Sequence, residues 1–375
     1  MRNKKANSYV KSILAFSLVL SLAGCSSKSE TPTNEVSNPN STTEVTATTP
    51  EAATPTPEAT VTPTVEETTT ASEVQYPITI QHAFGETVIK SKPERIATIA
   101  WGNHDTPLAL GVVPVGISEA NYGVTDGSGV LPWTAEKYKE LGVETPALFH
   151  DTAGLDFEAI SDATPDVILA AYSGITQEEY DILSQIAPVV AYPTLPWQTF
   201  WRDQIIYDAT GMGMQPEGEQ LVLELETLIA DKVSAYPELQ GKSAAFFYFN
   251  PADLGKFYVY LTDDPRAAYL TDLGMTFPES VTKLADESAS FALELSAENA
   301  DLLNDVDVIV AYGNEALLQA LQADPLLSTI PAIKKGAVAL IEDGTPLAAS
   351  GTPSALSIPA TIDEYLSILS AAAQK

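Results

Sequence analysis

Pro93-Glu94-Arg95-Ile96-Ala97-Thr98-Ile99-Ala100, followed by Gly111-Val112-Val113-Pro114-Val115-Gly116-Ile117, decides the fold class of this chain. Both stretches are nearly continuous apolar runs without polar alternation. Strands covered on both faces of a parallel sheet read that way. Between them, Asp105 to Leu110 predicts one or two helical turns that stop at Gly111. Strand, helix and strand in direct succession make a compact βαβ unit.

The pattern extends in both directions. Downstream, Phe157 to Thr164 predicts a helix and Asp166 to Ala170 a strand. Thr176 to Ile186 predicts an amphipathic helix, opened by the capping box Thr176-x-x-Glu179. Val189 to Tyr192 is a further strand. Upstream, Tyr76 to His82 alternates apolar and polar residues, and Thr87-Val88-Ile89 returns after Gly85-Glu86, as a short hairpin does. An N-terminal α/β lobe is therefore expected over residues 76–196. Residues 197–240 predict a long connecting helix, with Leu221, Leu225, Leu228, Ile229 and Val233 at helical spacing. Gly211, Gly213 and Pro216 predict a break in it. A C-terminal α/β lobe follows over 241–375, with strands at Ser243–Phe249, Tyr258–Tyr260, Asp307–Tyr312 and Ala337–Ile341. Such alternation predicts two doubly wound lobes with mainly parallel sheets and a ligand cleft between them.

Residues 1–75 read differently. Arg2, Lys4, Lys5 and Lys11 precede an apolar run from Ile13 to Ala23 and then Leu22-Ala23-Gly24-Cys25. This is a secretory signal, too short for a membrane span of about 20 apolar residues. Its last four residues resemble a bacterial lipobox. That resemblance implies that Cys25, the one cysteine of the chain, carries a diacylglycerol thioether on the extracellular face of the cell membrane. Residues 26–75 are rich in Thr, Pro and Glu and hold too little apolar surface to offset the entropy of ordering, so a disordered stalk is expected. At the polyproline rise of ~3.1 Å per residue it could reach ~150 Å, which suits a thick cell wall.

Lys and Arg number 19 against 50 Asp and Glu, for a formal net charge of −31. That balance argues against nucleic acid or an anionic membrane surface as partner. No Gly-x-Ser-x-Gly elbow, Walker loop or Gly-x-Gly-x-x-Gly fingerprint occurs. An extracellular hydrolase is the rival from a different class; it would show product, whereas a binder shows saturable quenching alone. The three histidines, His82, His104 and His150, have no clustered partners, so no resident metal site or cofactor is expected.

Several stretches, in order and spacing, carry a family resemblance: Pro93 to Ile96 with Leu108 to Ile117; Asp156 to Ile160 with Thr164 to Ala170; Tyr180 to Val190; Leu295-Ser296-Ala297-Glu298; Asp307 to Ile309; and Pro331 to Gly336. Through them the chain resembles the substrate-binding lipoproteins of bacterial iron–siderophore and cobalamin importers, whose two lobes are joined by one long helix. The resemblance implies a monomer that captures a ferric siderophore and delivers it to an ABC importer permease. The run from Ala170 through Trp201 looks most like hydroxamate binders. It further implies that Glu158 and Glu298, one per lobe, dock on the permease. Cobalamin and heme remain open as ligands of the same scaffold, and a highly anionic catecholate fits the scarcity of basic residues less well.

A ferric siderophore is coordinatively saturated, so its binder needs aromatic walls and a few donors rather than metal ligands. Ligands of open α/β sheets sit beyond the carboxyl ends of the strands. Trp101, His104, Tyr172, Trp197, Tyr248 and Tyr312 follow or end predicted strands and are the candidate ligand-binding residues. Arg202 and Arg266 are the candidate donors, because a guanidinium is a rigid, permanently charged fork. Some hydroxamate binders place an arginine directly after the Leu-Gly that is here Leu141-Gly142, where this chain has Val143 and Glu144. An arginine in that role points into an open cleft, so its truncation is expected to weaken binding and spare the melting temperature.

Overall fold

The apolar runs do form buried strands. The computed structural model describes residues 74–375 apart from 152 and 289. The signal segment, Cys25 and nearly all of the predicted stalk lie outside the described residues. The first lobe runs β1 (Ile78–His82), β2 (Gly85–Ile89), β3 (Ile96–Thr98), α1 (Asp105–Ala109), β4 (Gly116–Ser118), α2 (Pro132–Glu140), β5 (Leu148–Phe149), α3 (Phe157–Asp162), β6 (Val167–Ala170), α4 (Gln177–Leu183) and β7 (Val189–Ala191). Its five-stranded sheet has the order β5-β4-β3-β6-β7, and every pairing is parallel. All four residues of the interior strand β6 are fully buried, each large apolar side chain contributing about 1.5–3 kcal/mol of transfer free energy. The β1–β2 hairpin covers the β7 edge. Thr87 donates to the Val189 carbonyl at 2.7 Å, and the Ala83 amide donates to the Tyr192 carbonyl at 3.0 Å. Covering an edge removes a template for unwanted pairing.

The connection between lobes is two helices, α5 (Trp201–Gly211) and α6 (Gln215–Val233). The predicted break falls between them, where Gly213 has φ +69°. The two helices pack closely because Gly218 has no side chain; a Cβ there would lie 2.4 Å from that of Ala209. Helix α6 in turn packs against the last helix of the chain.

The second lobe runs β8 (Ala244–Asn250), β9 (Asp253–Tyr260), α7 (Pro265–Asp272), α8 (Glu279–Asp286), β10 (Ala292–Ser296), β11 (Val308–Tyr312), α9 (Glu315–Ala323), α10 (Pro331–Lys335), β12 (Val338–Ile341), α11 (Pro346–Ala349) and α12 (Ser357–Ala373). Its sheet has the order β10-β9-β8-β11-β12. Strands β8, β11 and β12 are parallel, whereas β9 and β10 join antiparallel. The link from Asn250 to Asp253 is too short for a crossover, so it can only turn the chain back.

The stretch between β12 and α12 reaches back to the first lobe. Ser354 donates to the buried Asp105 carboxylate at the start of α1. Ala349 and Leu356 pack with Leu131 and Trp133. The two lobes are thus bridged by α5–α6 and by this returning strap.

Candidate ligand-binding cleft

A cleft of about 720 Å³ lies between the lobes. It is lined from the carboxyl ends of strands in both sheets: Ala100 and Trp101 after β3, Ser118 in β4, Asp151 after β5, Tyr172 and Gly174 after β6. The second lobe adds Tyr248 from β8, Tyr260 ending β9, Tyr312 ending β11 and Asp343 after β12.

Asn103 fixes the first-lobe turns. Its side-chain amide donates to the Ile99 carbonyl at 2.7 Å and the Tyr172 carbonyl at 3.0 Å, and its oxygen accepts from the Tyr172 amide at 2.9 Å. Gln204 of α5 completes the network, donating to the Trp101 carbonyl at 3.2 Å and to Asn103 at 3.1 Å. Trp101 and Tyr172 are therefore held at the backbone by buried polar groups that are themselves satisfied.

Tyr172 and Trp197 meet edge to face, 5.3 Å between centroids and 76° between planes. Trp197 takes φ +61°, a left-handed conformation costing roughly 1–2 kcal/mol for a non-glycine residue. Its amide donates to the Ser173 carbonyl at 3.0 Å. The indole lies over Gly174, where a Cβ would come within 2.1 Å of Nε1. The sequence thus spends backbone strain and a glycine to lay one indole along the cleft wall.

Arg266 supplies the second lobe's cation. Its Nε and Nη2 donate to the two oxygens of Asp264 at 2.9 and 2.6 Å. Asp264 is fully buried and also caps α7, accepting from the Arg266 amide. The guanidinium stacks 3.9 Å from the Tyr260 ring centroid. Burial disfavours its charge, but Asp264 more than offsets this and holds it protonated. Burial also raises the phenols of Tyr172, Tyr260 and Tyr312, so they remain neutral; the Tyr312 hydroxyl is already committed, donating to the Ala348 carbonyl at 3.2 Å.

One side of the cleft is closed between lobes. The Tyr122 hydroxyl donates to Asp343 at 2.5 Å and accepts from the Gly344 amide at 3.1 Å. Burial, then Asp343, pushes the Tyr122 phenol up to about 12.

Residues 96–344 match the family model described as periplasmic binding protein. This chain belongs to that family. The binding protein is 56% identical to PiaA of Streptococcus pneumoniae TIGR4, whose crystal structure is in complex with ferrichrome; the match covers 79% of this chain and 99% of PiaA, with a TM-score of 0.77. A second structure of PiaA, an iron uptake ABC transporter substrate-binding protein, matches at 54% identity over the same shares with a TM-score of 0.74. The probable siderophore-binding lipoprotein YfiY of Bacillus subtilis is 24% identical over 306 residues, 76% of this chain and 87% of YfiY.

Of the residues singled out from sequence, Trp101, Tyr172, Trp197, Tyr248, Arg266 and Tyr312 line the binding protein's cleft. Two do not. His104 is buried at the start of α1, with Nε2 3.3 Å from both the Thr134 hydroxyl and Asp105. It follows Trp101 by nearly one helical turn and packs toward α2. Burial lowers its pKa, with Asp105 opposing. Arg202 is a correction of greater weight. Its Nε donates to Glu226 at 2.6 Å and its Nη1 to Asp272 at 3.0 Å, while the guanidinium covers the Trp201 ring at 4.2 Å. Trp201 Nε1 also donates to Asp272, at 2.8 Å. Arg202 is thus a clasp between α5, α6 and α7. Arg202→Ala is expected to leave ligand affinity within twofold while lowering stability by ~1 kcal/mol, the scale of a partly exposed ion pair. Titration beside a thermal melt checks it; a tenfold affinity loss with an unchanged melt returns Arg202 to the cleft.

Tyr122, Tyr260, Ser118, Asp151 and Asp343 also line the cleft and were not singled out. Tyr260 and Asp343 end or follow strands, so the strand-end rule could have found them. Tyr122 sits in a loop whose approach to the other lobe leaves no local signal.

Proposed function

We propose that this protein captures a ferric hydroxamate siderophore outside the cell and delivers it to the permease of an ABC importer. The observation that carries the reading is the aromatic cleft with one anchored arginine, in a chain 56% identical to a protein crystallised with ferrichrome. Iron(III) with three hydroxamate anions is neutral and fully coordinated. It asks its binder for flat apolar contact and for donors to its oxygens. Trp101, Tyr172, Trp197 and Tyr248 supply the contact. Arg266 and the phenols of Tyr172 and Tyr260 supply the donors. Iron ligation is assigned to the siderophore, whose three hydroxamates already fill the coordination sphere.

Trp197 is 37% exposed and lies in the cleft, so it should report binding. Titration with ferrichrome is expected to quench tryptophan fluorescence saturably, with iron-free ferrichrome binding more weakly. Ferrioxamine, ferric enterobactin, hemin and cobalamin complete the panel. A response to cobalamin or hemin alone overturns the reading, and formation of a product would move the protein to the hydrolase class.

The membrane anchor at Cys25 and the stalk belong to the same reading, as does docking through Glu158 and Glu298. Both glutamates are exposed, each in the first turn of a helical element, α3 and the 3-10 helix Ala297–Leu303. Glu158→Arg or Glu298→Arg is expected to abolish cellular iron uptake with ligand affinity unchanged, since like charges brought together at an interface cost several kcal/mol. Normal uptake by both variants rejects the docking role.

A further inference from the structure

The turn from β3 toward α1, Ala100-Trp101-Gly102-Asn103, carries backbone strain. Ala100 takes φ +61° and Gly102 takes φ +70°. A left-handed alanine persists only where its surroundings over-determine it. Three side chains do so here. The Ala100 amide donates to the Ser118 hydroxyl at 2.8 Å. Asn103 ties the turn to both backbone groups of Tyr172. Gln204 donates to the Trp101 carbonyl and to the Asn103 oxygen. The first two belong to the first lobe, whereas Gln204 comes from the connecting helix α5. Its neighbours on that helix are built into the second lobe: Trp201 and Ile205 share one buried core with Phe246 of β8 and with Ala267 and Leu270 of α7. Arg266 directly precedes Ala267. The approach to the turn is close, since a Cβ on Gly102 would stand 3.4 Å from Gln204 Nε2. One turn of α5 is thus packed among the residues that carry Arg266 and grips, with one amide, the turn that carries Trp101.

Gln204 is buried and is not among the residues that line the cleft. Resting on the siderophore reading above, we propose that Gln204 is a positioning residue for ligand binding, which holds Trp101 of the first lobe in register with Arg266 of the second. Without its two bonds the Trp101 turn samples displaced positions. Apparent affinity then falls by the fraction of molecules that keep the competent one.

Gln204→Met keeps the length of the side chain and removes the amide that makes both bonds. It is expected to weaken ferrichrome binding about tenfold, the scale of one to two buried hydrogen bonds, and to lower the melting temperature. Gln204→Asn, one methylene too short to reach both acceptors, should lose affinity in the same sense. Titrations are made well below the melting transition. A double-variant cycle separates positioning from general stability. In a Trp101→Ala background, Gln204→Met should cost less than threefold in affinity, because the side chain it positions is gone, while the melting temperature falls as before. Parent-like ferrichrome binding by both Gln204 variants overturns the inference and leaves the siderophore reading intact. So does a full tenfold loss in the Trp101→Ala background. A matching affinity loss from Arg202→Ala with a lowered melt would mean that any loosening of α5 weakens binding, and overturns it too. Failure of the parent to bind ferrichrome or any other ferric hydroxamate removes the siderophore reading and the inference with it.

Discussion

Arg266→Ala is expected to weaken ferrichrome binding by tenfold or more and to lower the melting temperature of the ligand-free protein. The affinity part follows from a lost charged donor, worth about 1.5–3 kcal/mol, at ~1.4 kcal/mol per tenfold. The stability part follows from Asp264, which is fully buried and loses both side-chain bonds from the guanidinium. Breaking one side of a buried pair costs roughly 3–5 kcal/mol, because an uncompensated charge stays behind. Tyr260 also loses the cation stacked 3.9 Å from its ring centroid. The sequence suggested a free-standing donor whose removal spares the fold; the buried partner two residues earlier reverses that expectation. A double variant separates the two effects. Asn replaces Asp well as a helix N-cap, so Asp264→Asn with Arg266→Ala should regain much of the lost melting temperature and none of the affinity. Affinities are compared well below the melting transition. Parent-like binding by Arg266→Ala would place the oxygen donors elsewhere, with Tyr172 and Tyr248 next to test.

What the sequence made legible follows from what is local. Strands β3, β6 and β11 and the first four residues of β8 are runs of mostly buried, mostly apolar residues, and such runs identify themselves. Strand β10 does not, because Glu294 and Ser296 face solvent on an antiparallel edge. Helix α2 was missed for a related reason. In Pro132–Glu140 only Trp133, Thr134 and Tyr138 are buried, too few to impose a period. At the site, the strand-end rule reached Trp101, Tyr172, Tyr248 and Tyr312 because the backbone delivers those positions to the cleft. It misplaced His104, which belongs to the helix after the turn. Arg202 and Arg266 are alike in sequence, each opening a helix in an arginine-poor chain. Only their tertiary partners, Glu226 and Asp272 against Asp264, tell clasp from cleft donor.

Gly174→Ala should cost as much affinity as a direct loss of cleft surface, although the new methyl need touch no ligand. An alanine Cβ would stand 2.1 Å from Trp197 Nε1 and 2.4 Å from Cε2. Gly174 is not among the glycines at positive φ, so its own backbone accepts alanine and the indole is what must yield. Trp197 has little freedom to yield gracefully. Its backbone is already left-handed, and its amide is fixed to the Ser173 carbonyl at 3.0 Å. The ring should swing off Tyr172 and out of the cleft. A buried aromatic anchor is worth about 2 kcal/mol or more, a factor of about thirty in affinity. Trp197→Ala should lose the same amount together with most of the fluorescence quenching. Gly174→Ala keeps the fluorophore but should shift its emission to the red, as the indole moves into water. Neither change removes core packing, since Trp197 is 37% exposed, so both variants should melt within a few degrees of the parent. If Gly174→Ala binds ferrichrome like the parent while its emission has shifted, the indole is not a wall of the site, and Tyr172 carries that face of the cleft alone.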